Sequence, residues 1–210
     1  MRIFTMTAVA ALAFVGTFAG CVPESEQPLG NPATAQQDAR LHGLWVADDA
    51  EGEKQFLHIG AEPDKGLTSN GAPEAGLMRY WLISHTTENG RLANPYGMRF
   101  FVSRVGDVDY ANMAVPVDDK DTGAPRGWWF IKYQVDNAVL TAWGMDFEAV
   151  GKLIEAGKVR GTVERDSDGK LTRALITAPS DQVENFVKEN SGLLFPDGNK
   201  TTFHKVSTAR

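Results

Sequence analysis

The sequence predicts a mainly β protein (β-rich α+β): an antiparallel β-barrel or strongly curved sheet accompanied by two short helices. Three observations predict it. From Leu41 onward, short runs alternate apolar and polar residues and are broken by Gly, Asp, Asn and Pro, the pattern of half-buried strands joined by turns. Many such short strands with hairpin turns between them favour a closed barrel or a sandwich in antiparallel order. The chain of 210 residues, 42% hydrophobic and 23% charged, is long enough for one domain with its own core, or at most two small ones. That composition excludes long disorder and collagen-like repeats.

The elements follow in chain order. Met1 and Arg2 form a short positive region, residues 3–14 an apolar run, and residues 15–20 a stretch of mostly small residues ahead of Cys21. This is the three-part pattern of a secretory signal. Residues 3–20 are also long enough for a signal anchor, but their Ala, Gly and Thr content lowers the hydrophobicity that a span requires. Residues 22–40 contain Pro23, Pro28 and Pro32 and almost no large apolar side chain. By composition they form a flexible tether, roughly 25 Å long as a coil and about 60 Å if extended. The expected organisation is a signal peptide over 1–20, Cys21 with its tether over 21–40, and a single β-rich domain over 41–210.

Within that domain, strands are expected at 41–46, 55–59, 77–86, 98–105, 108–115, 128–135 and 139–144, then at 161–165, 170–178 and 201–206. Asp136-Asn137, Asp168-Gly169 and Gly106-Asp107 supply residues that tolerate the positive φ of tight hairpins. Two helices interrupt the strands. Asp146 can cap 147–156, where Phe147, Val150, Gly151 and Ile154 share a face and Gly157 ends the helix. Ser180 can cap 181–189, with Val183, Phe186 and Val187 on one stripe before Asn190 and Gly192. Both helices are short, with narrow apolar faces suited to flanking a sheet.

Phe18-Ala19-Gly20-Cys21 resembles the lipobox of bacterial lipoproteins, with Phe18 where that box usually has Leu. The resemblance implies cleavage before Cys21, a diacylglycerol on its thiol and acylation of the new amine. It also implies a membrane partner through that anchor, and Val22 in place of an Asp directs the chain towards the periplasmic face of the outer membrane. Cysteine usage agrees, because Cys21 is the only cysteine; the mature domain can hold neither a disulfide nor a thiolate metal site. Gly43-Leu44-Trp45, early in the first predicted strand, resembles the Gly-x-Trp signature of lipocalin-like barrels. That resemblance implies a barrel whose Trp45 plugs one end under a basic side chain from a late strand, for which Lys205 is best placed.

The residues that could carry chemistry give little. His42, His58, His85 and His204 lack metal-site spacing, and there is no Gly-x-Ser-x-Gly elbow. Ser84 and His85, adjacent on a strand, point to opposite faces. Glu164, Asp166, Asp168 and Gly169 begin like a calcium loop, but Leu175 stands where a bidentate Glu is needed. Asp118, Asp119 and Asp121 precede Gly123 with no completing acid. The acidic excess, a net charge of −6, disfavours nucleic acid as a partner.

Aromatic side chains are the feature with functional promise. On the strand at 128–135, Trp129, Ile131, Tyr133 and Val135 make the more apolar face and should point inward. Trp81, Trp129, Tyr133 and Trp143 are the candidate ligand-binding residues, with no cofactor, metal or catalytic group expected. The expected function is a lipid-anchored envelope protein binding a small apolar or lipid-like ligand. The rivals are an assembly partner of another envelope protein and, behind it, a hydrolase using His85 or His58 with a carboxylate.

Overall fold

A computed structural model describes residues 22–48, 54–61, 76–84, 96–116 and 125–206. Among the described residues, eleven strands form one sheet: β1 (Glu24–Ser25), β2 (Gly43–Asp48), β3 (Lys54–Ala61), β4 (Met78–Ser84), β5 (Tyr96–Val105), β6 (Val108–Val115), β7 (Gly127–Asp136), β8 (Val139–Gly144), β9 (Gly161–Arg165), β10 (Leu171–Ile176) and β11 (Lys200–Lys205). Helix α1 (Phe147–Glu155) lies between β8 and β9, and α2 (Ser180–Leu194) between β10 and β11.

Strands β2 to β8 pair in sequence as an antiparallel meander, β11 joins β8 to β2, and the ring is complete. The fold is thus a closed eight-stranded antiparallel barrel consistent with a lipocalin-like architecture. The stretch α1-β9-β10-α2 is inserted before its last strand. The closing seam is short: β2 and β11 share two rungs, Val46–His204 and Trp45–Lys205, whereas every other neighbouring pair in the ring shares five or more. The hairpin turns use the residues the sequence offers, with Gly106, Asn137 and Gly169 all at positive φ.

Strand alternation sends each wall residue to one of two cores. Inside the barrel, Trp45, Met78, Met98, Phe100, Met113, Trp129 and Phe203 pack together. Outside, Phe101, Tyr110, Trp128 and Phe130 are covered by Val150, Ile154, Val183, Phe186 and Val187 of the two helices. The adjacent pairs Phe100/Phe101 and Trp128/Trp129 are therefore each split between the two cores. Asp146 caps α1, its carboxylate accepting from Ala149 N–H at 2.7 Å, and Gly157 follows the helix at φ 69°.

Helix α2 departs from expectation at both ends. Ser180 does not cap it; its hydroxyl donates to Pro28 O at 2.9 Å, and Pro179 takes the cap position. The helix also runs through Asn190 and Gly192 to Leu194, because Leu194 and Phe195 bury fully against the outer core. Tertiary burial there outweighs weak local stop signals.

The largest departure is the segment expected to be a tether. Residues 22–40 lie on the domain from end to end. Glu24–Ser25 forms a two-residue strand, parallel to β10 and antiparallel to β7 at Trp128. It takes the edge of β7 that β8 leaves free, since β8 joins β7 only from Ile131 onward. Gly127 permits this approach: a Cβ there would stand 3.0 Å from Ser25 O. Leu29 is 0% exposed in the outer core; its N–H donates to the side-chain oxygen of buried Asn112 at 2.8 Å, and Gly30 N–H donates to Glu184 at 2.9 Å. The amide of Gln37 reaches Leu77 O at 3.1 Å. The segment is a strap along the outer wall, held by backbone pairing and one deep leucine that polar, proline-containing composition conceals.

Candidate functional site

The two barrel ends differ. One end, the base, gathers the start of β2, the end of β11 and the β5–β6 and β7–β8 turns. Trp45 fills it, 0% exposed, its indole N–H donating to Leu41 O at 2.7 Å. The Lys205 ammonium stands 4.9 Å from the indole centroid, a cation–π distance, and donates to Arg40 O at 3.2 Å. Gly43, at φ 126°, lies so close to Lys205 that a Cβ would come within 3.1 Å of its Cε.

A network of charges ties the strap to this base. Arg40 bridges Asp38 at 2.6 Å and Asp109 at 2.8 Å, and Arg104 pairs with Asp109 at 2.7 Å. The Tyr133 hydroxyl donates to Asp38 at 2.9 Å. Burial opposes ionisation of Asp38 and Asp109, but hydrogen bonds from Arg40 with Tyr133, and from Arg104 with Arg40, hold both carboxyls below their ordinary value. Burial and the neighbouring Asp38 carboxylate push the Tyr133 phenol far above its usual range.

Above the base the barrel encloses a cavity of about 110 Å³. Its walls come from nearly every strand: Leu57 and Ile59 of β3, Tyr80 of β4, Phe100 of β5, Ala111 and Met113 of β6, Trp129, Ile131 and Tyr133 of β7, Leu140 and Ala142 of β8, and Phe203 of β11, with Leu41 below. Val22, at the head of the strap, completes the lining. Among these residues only the two tyrosines carry a titratable group, and Tyr133 is engaged by Asp38. The cavity offers apolar contact and little else, so its chemistry is solvation of an apolar group.

Of the candidate ligand-binding residues, Trp129 and Tyr133 line this cavity. Trp143 does not: its indole N–H donates to Asp197 at 3.1 Å, Lys132 lies 4.5 Å from its ring centroid, and it packs on the outer core. The reason is phase, since Leu140 and Ala142 take the inward positions of β8 and Trp143 falls between them. Trp81 stands opposite His58 and Gly97 in the sheet, while its neighbour Tyr80 reaches the cavity. Cys21 lies outside the described residues, as do His85 and the Asp118, Asp119 and Asp121 cluster. Sequence reasoning missed Val22, Leu57, Ile59 and Phe203; the period-2 pattern of their strands was the available signal for the last three, and nothing local marked Val22.

The remaining histidines are spread out. His58 and His204 are exposed and His42 sits beside the base. Asp166 accepts from Asp168 N–H and Lys170 N–H to shape its turn, and Glu164 pairs with Arg173. Among the described residues no group of three or more His, Cys, Asp or Glu side chains could hold a metal ion, and no helix is long and apolar enough to cross a membrane. Comparison with models of known protein families, with curated proteins and with solved structures yields no match.

Proposed function

We propose that this protein is a lipid-anchored component of the bacterial envelope, outer membrane and periplasmic face, whose barrel binds a small apolar or lipid-like ligand. The observation that carries the binding half is the apolar cavity around Trp129, Phe100 and Phe203. Its volume limits what enters. About 110 Å³ is less than the roughly 150 Å³ of an apolar cavity that takes benzene. A short alkyl segment fits, and the rest of a larger ligand stays outside. The anchoring half rests on the signal-like N-terminus and on Cys21. Several acyl chains at about 0.8 kcal/mol per buried methylene hold a protein on a membrane where one chain is marginal.

Native mass spectrometry of residues 22–210 mixed with envelope extract tests binding: a small bound mass at fixed stoichiometry is expected. Trp129→Ala should weaken it in a protein that stays folded, and folded variants that bind undiminished would remove the cavity from the account. For the anchor, Cys21→Ser should abolish acyl labelling and membrane retention; labelling that persists refutes it.

A second reading, an assembly partner of another envelope protein, draws on one patch. Leu44 and Val206 are each 38% exposed and adjacent on the outer wall, where Val206 N–H donates to Leu44 O at 2.8 Å. Crosslinking in cells from a probe at Leu44 should then capture one dominant protein, and a clean monomer counts against this reading.

A further inference from the structure

We infer that Val22 is the specificity-determining wall of the barrel cavity: its side chain sets how long an alkyl segment the barrel accepts. The inference rests on the ligand-binding reading and names the residue that limits it. All of the cavity's lining residues but two, Val22 and Leu41, sit on strands of the ring. The strand residues are held by their ladders. Leu41 is held by two bonds, its N–H donating to Asp38 O at 3.0 Å and its carbonyl accepting from the Trp45 indole at 2.7 Å. Val22 differs from both. It stands two residues ahead of the strap's first rung, Glu24–Leu175, is half-buried, and still packs against the core inside the barrel.

Register explains how it gets there. One edge of β7 changes partner along its length, with Ser25 opposite Trp128 and Gly144 of β8 opposite Ile131. After Gly144 the chain leaves the barrel for α1, while β1 carries the sheet on to β10. The strap is antiparallel to β7, so the three residues from Ser25 back to Val22 follow the three from Trp128 to Ile131. Val22 thus arrives where the two partners of β7 diverge. Ile131 and Ala142, on the two strands beside that junction, line the cavity with it.

The cavity works by burying methylenes, so affinity for a linear alkyl ligand should climb about four-fold per carbon until the wall is met and then level off. Val22 exceeds alanine by two methyl groups and falls short of leucine by one carbon. Replacing it moves the wall in either direction without touching a ladder of the ring.

The test uses residues 21–210 with Cys21→Ser. This chain contains both cores and every described strand. It also keeps one residue ahead of Val22, so the terminal ammonium does not fall on the lining side chain. The n-alkanols from butanol to octanol are titrated by calorimetry into this protein and into its Val22→Ala and Val22→Leu variants, each checked for a cooperative melt. Val163→Ala, a truncation of another half-buried valine that packs on the outer core, is the control and should leave the series unchanged.

Val22→Ala should move the levelling point to a longer alkanol, so that the first one beyond the original limit binds at least four-fold more tightly, about one buried methylene. Val22→Leu should move it to a shorter one. Opposite shifts from one position are not produced by a general loss of stability. Folded proteins that all level off at the same length, or all climb alike through octanol, overturn the role of Val22 and leave the cavity reading intact. A folded protein that binds no alkanol in any form refutes the binding reading and this inference with it.

Discussion

Leu29→Ala should destabilise the domain by about 3 kcal/mol. The figure comes from its surroundings: the side chain is 0% exposed in the outer core, and deletion of a fully buried leucine costs about 2–5 kcal/mol through lost transfer energy and a residual cavity. For a domain of this size each kcal/mol moves the melting temperature by roughly 2–4 °C, so a fall of about 6–12 °C is expected. Removing residues 22–40 altogether should cost more. It also leaves the side-chain oxygen of Asn112, itself 0% exposed, without the Leu29 N–H, a further ~1–3 kcal/mol. Urea and thermal unfolding of residues 22–210 carrying Leu29→Ala, and of residues 41–210, measure the two. Gln36→Ala is the control, since Gln36 is exposed in the same segment and should stay within about 0.5 kcal/mol. If Leu29→Ala behaves like Gln36→Ala, the strap is a tether after all.

Other changes probe separate features. Asp146→Ala removes the 2.7 Å bond to Ala149 N–H and should cost about 1 kcal/mol in the same melts; an unchanged midpoint would deny it a capping role. Asp38 and Asp109 titrate below the ordinary carboxylate value in the folded chain. Their contribution is thus complete above the unfolded pKa near 4 and is lost as pH falls through the lower folded values. The variant with Asn at both positions should be less stable at neutral pH and lose less stability below about pH 4; an acid limb as steep as that of the unmodified protein would contradict the network. Lys205→Met removes the cation over Trp45 and should cost about 0.5–1 kcal/mol at this partly exposed site, read from urea midpoints.

The barrel was legible because alternation encodes two faces at once. On β7 the runs Trp129-Ile131-Tyr133-Val135 and Trp128-Phe130-Lys132-Gln134 differ enough in polarity to assign the lumen, and both Trp129 and Tyr133 line it. Trp143 went astray because residue type was weighed without phase: a ring is a promising ligand contact only if its strand turns it inward. The strap was illegible for a different reason. Its proline, glutamine and glutamate content describes a chain with nothing of its own to bury, and Leu29 acquires its place only once β5, β6 and α2 have built the surface that receives it. Ser180 shows the same dependence, its hydroxyl drawn from a local cap to Pro28 by a segment more than a hundred residues away.

The two-rung seam between β2 and β11 has a kinetic meaning. Hairpins such as β5–β6 close through a two-residue turn, but Trp45 and Lys205 are ~160 positions apart, and the logarithmic cost of loop closure makes their encounter about 4 kcal/mol less favourable. The ring must therefore close late, after the insertion has folded and the last strand has emerged. Until then β2 presents a free edge able to pair with another chain. Folding should be slow for a domain of this length, and the period before closure is when aggregation competes. With two rungs and the Val206–Leu44 bond to break, the same seam is where unfolding is expected to begin.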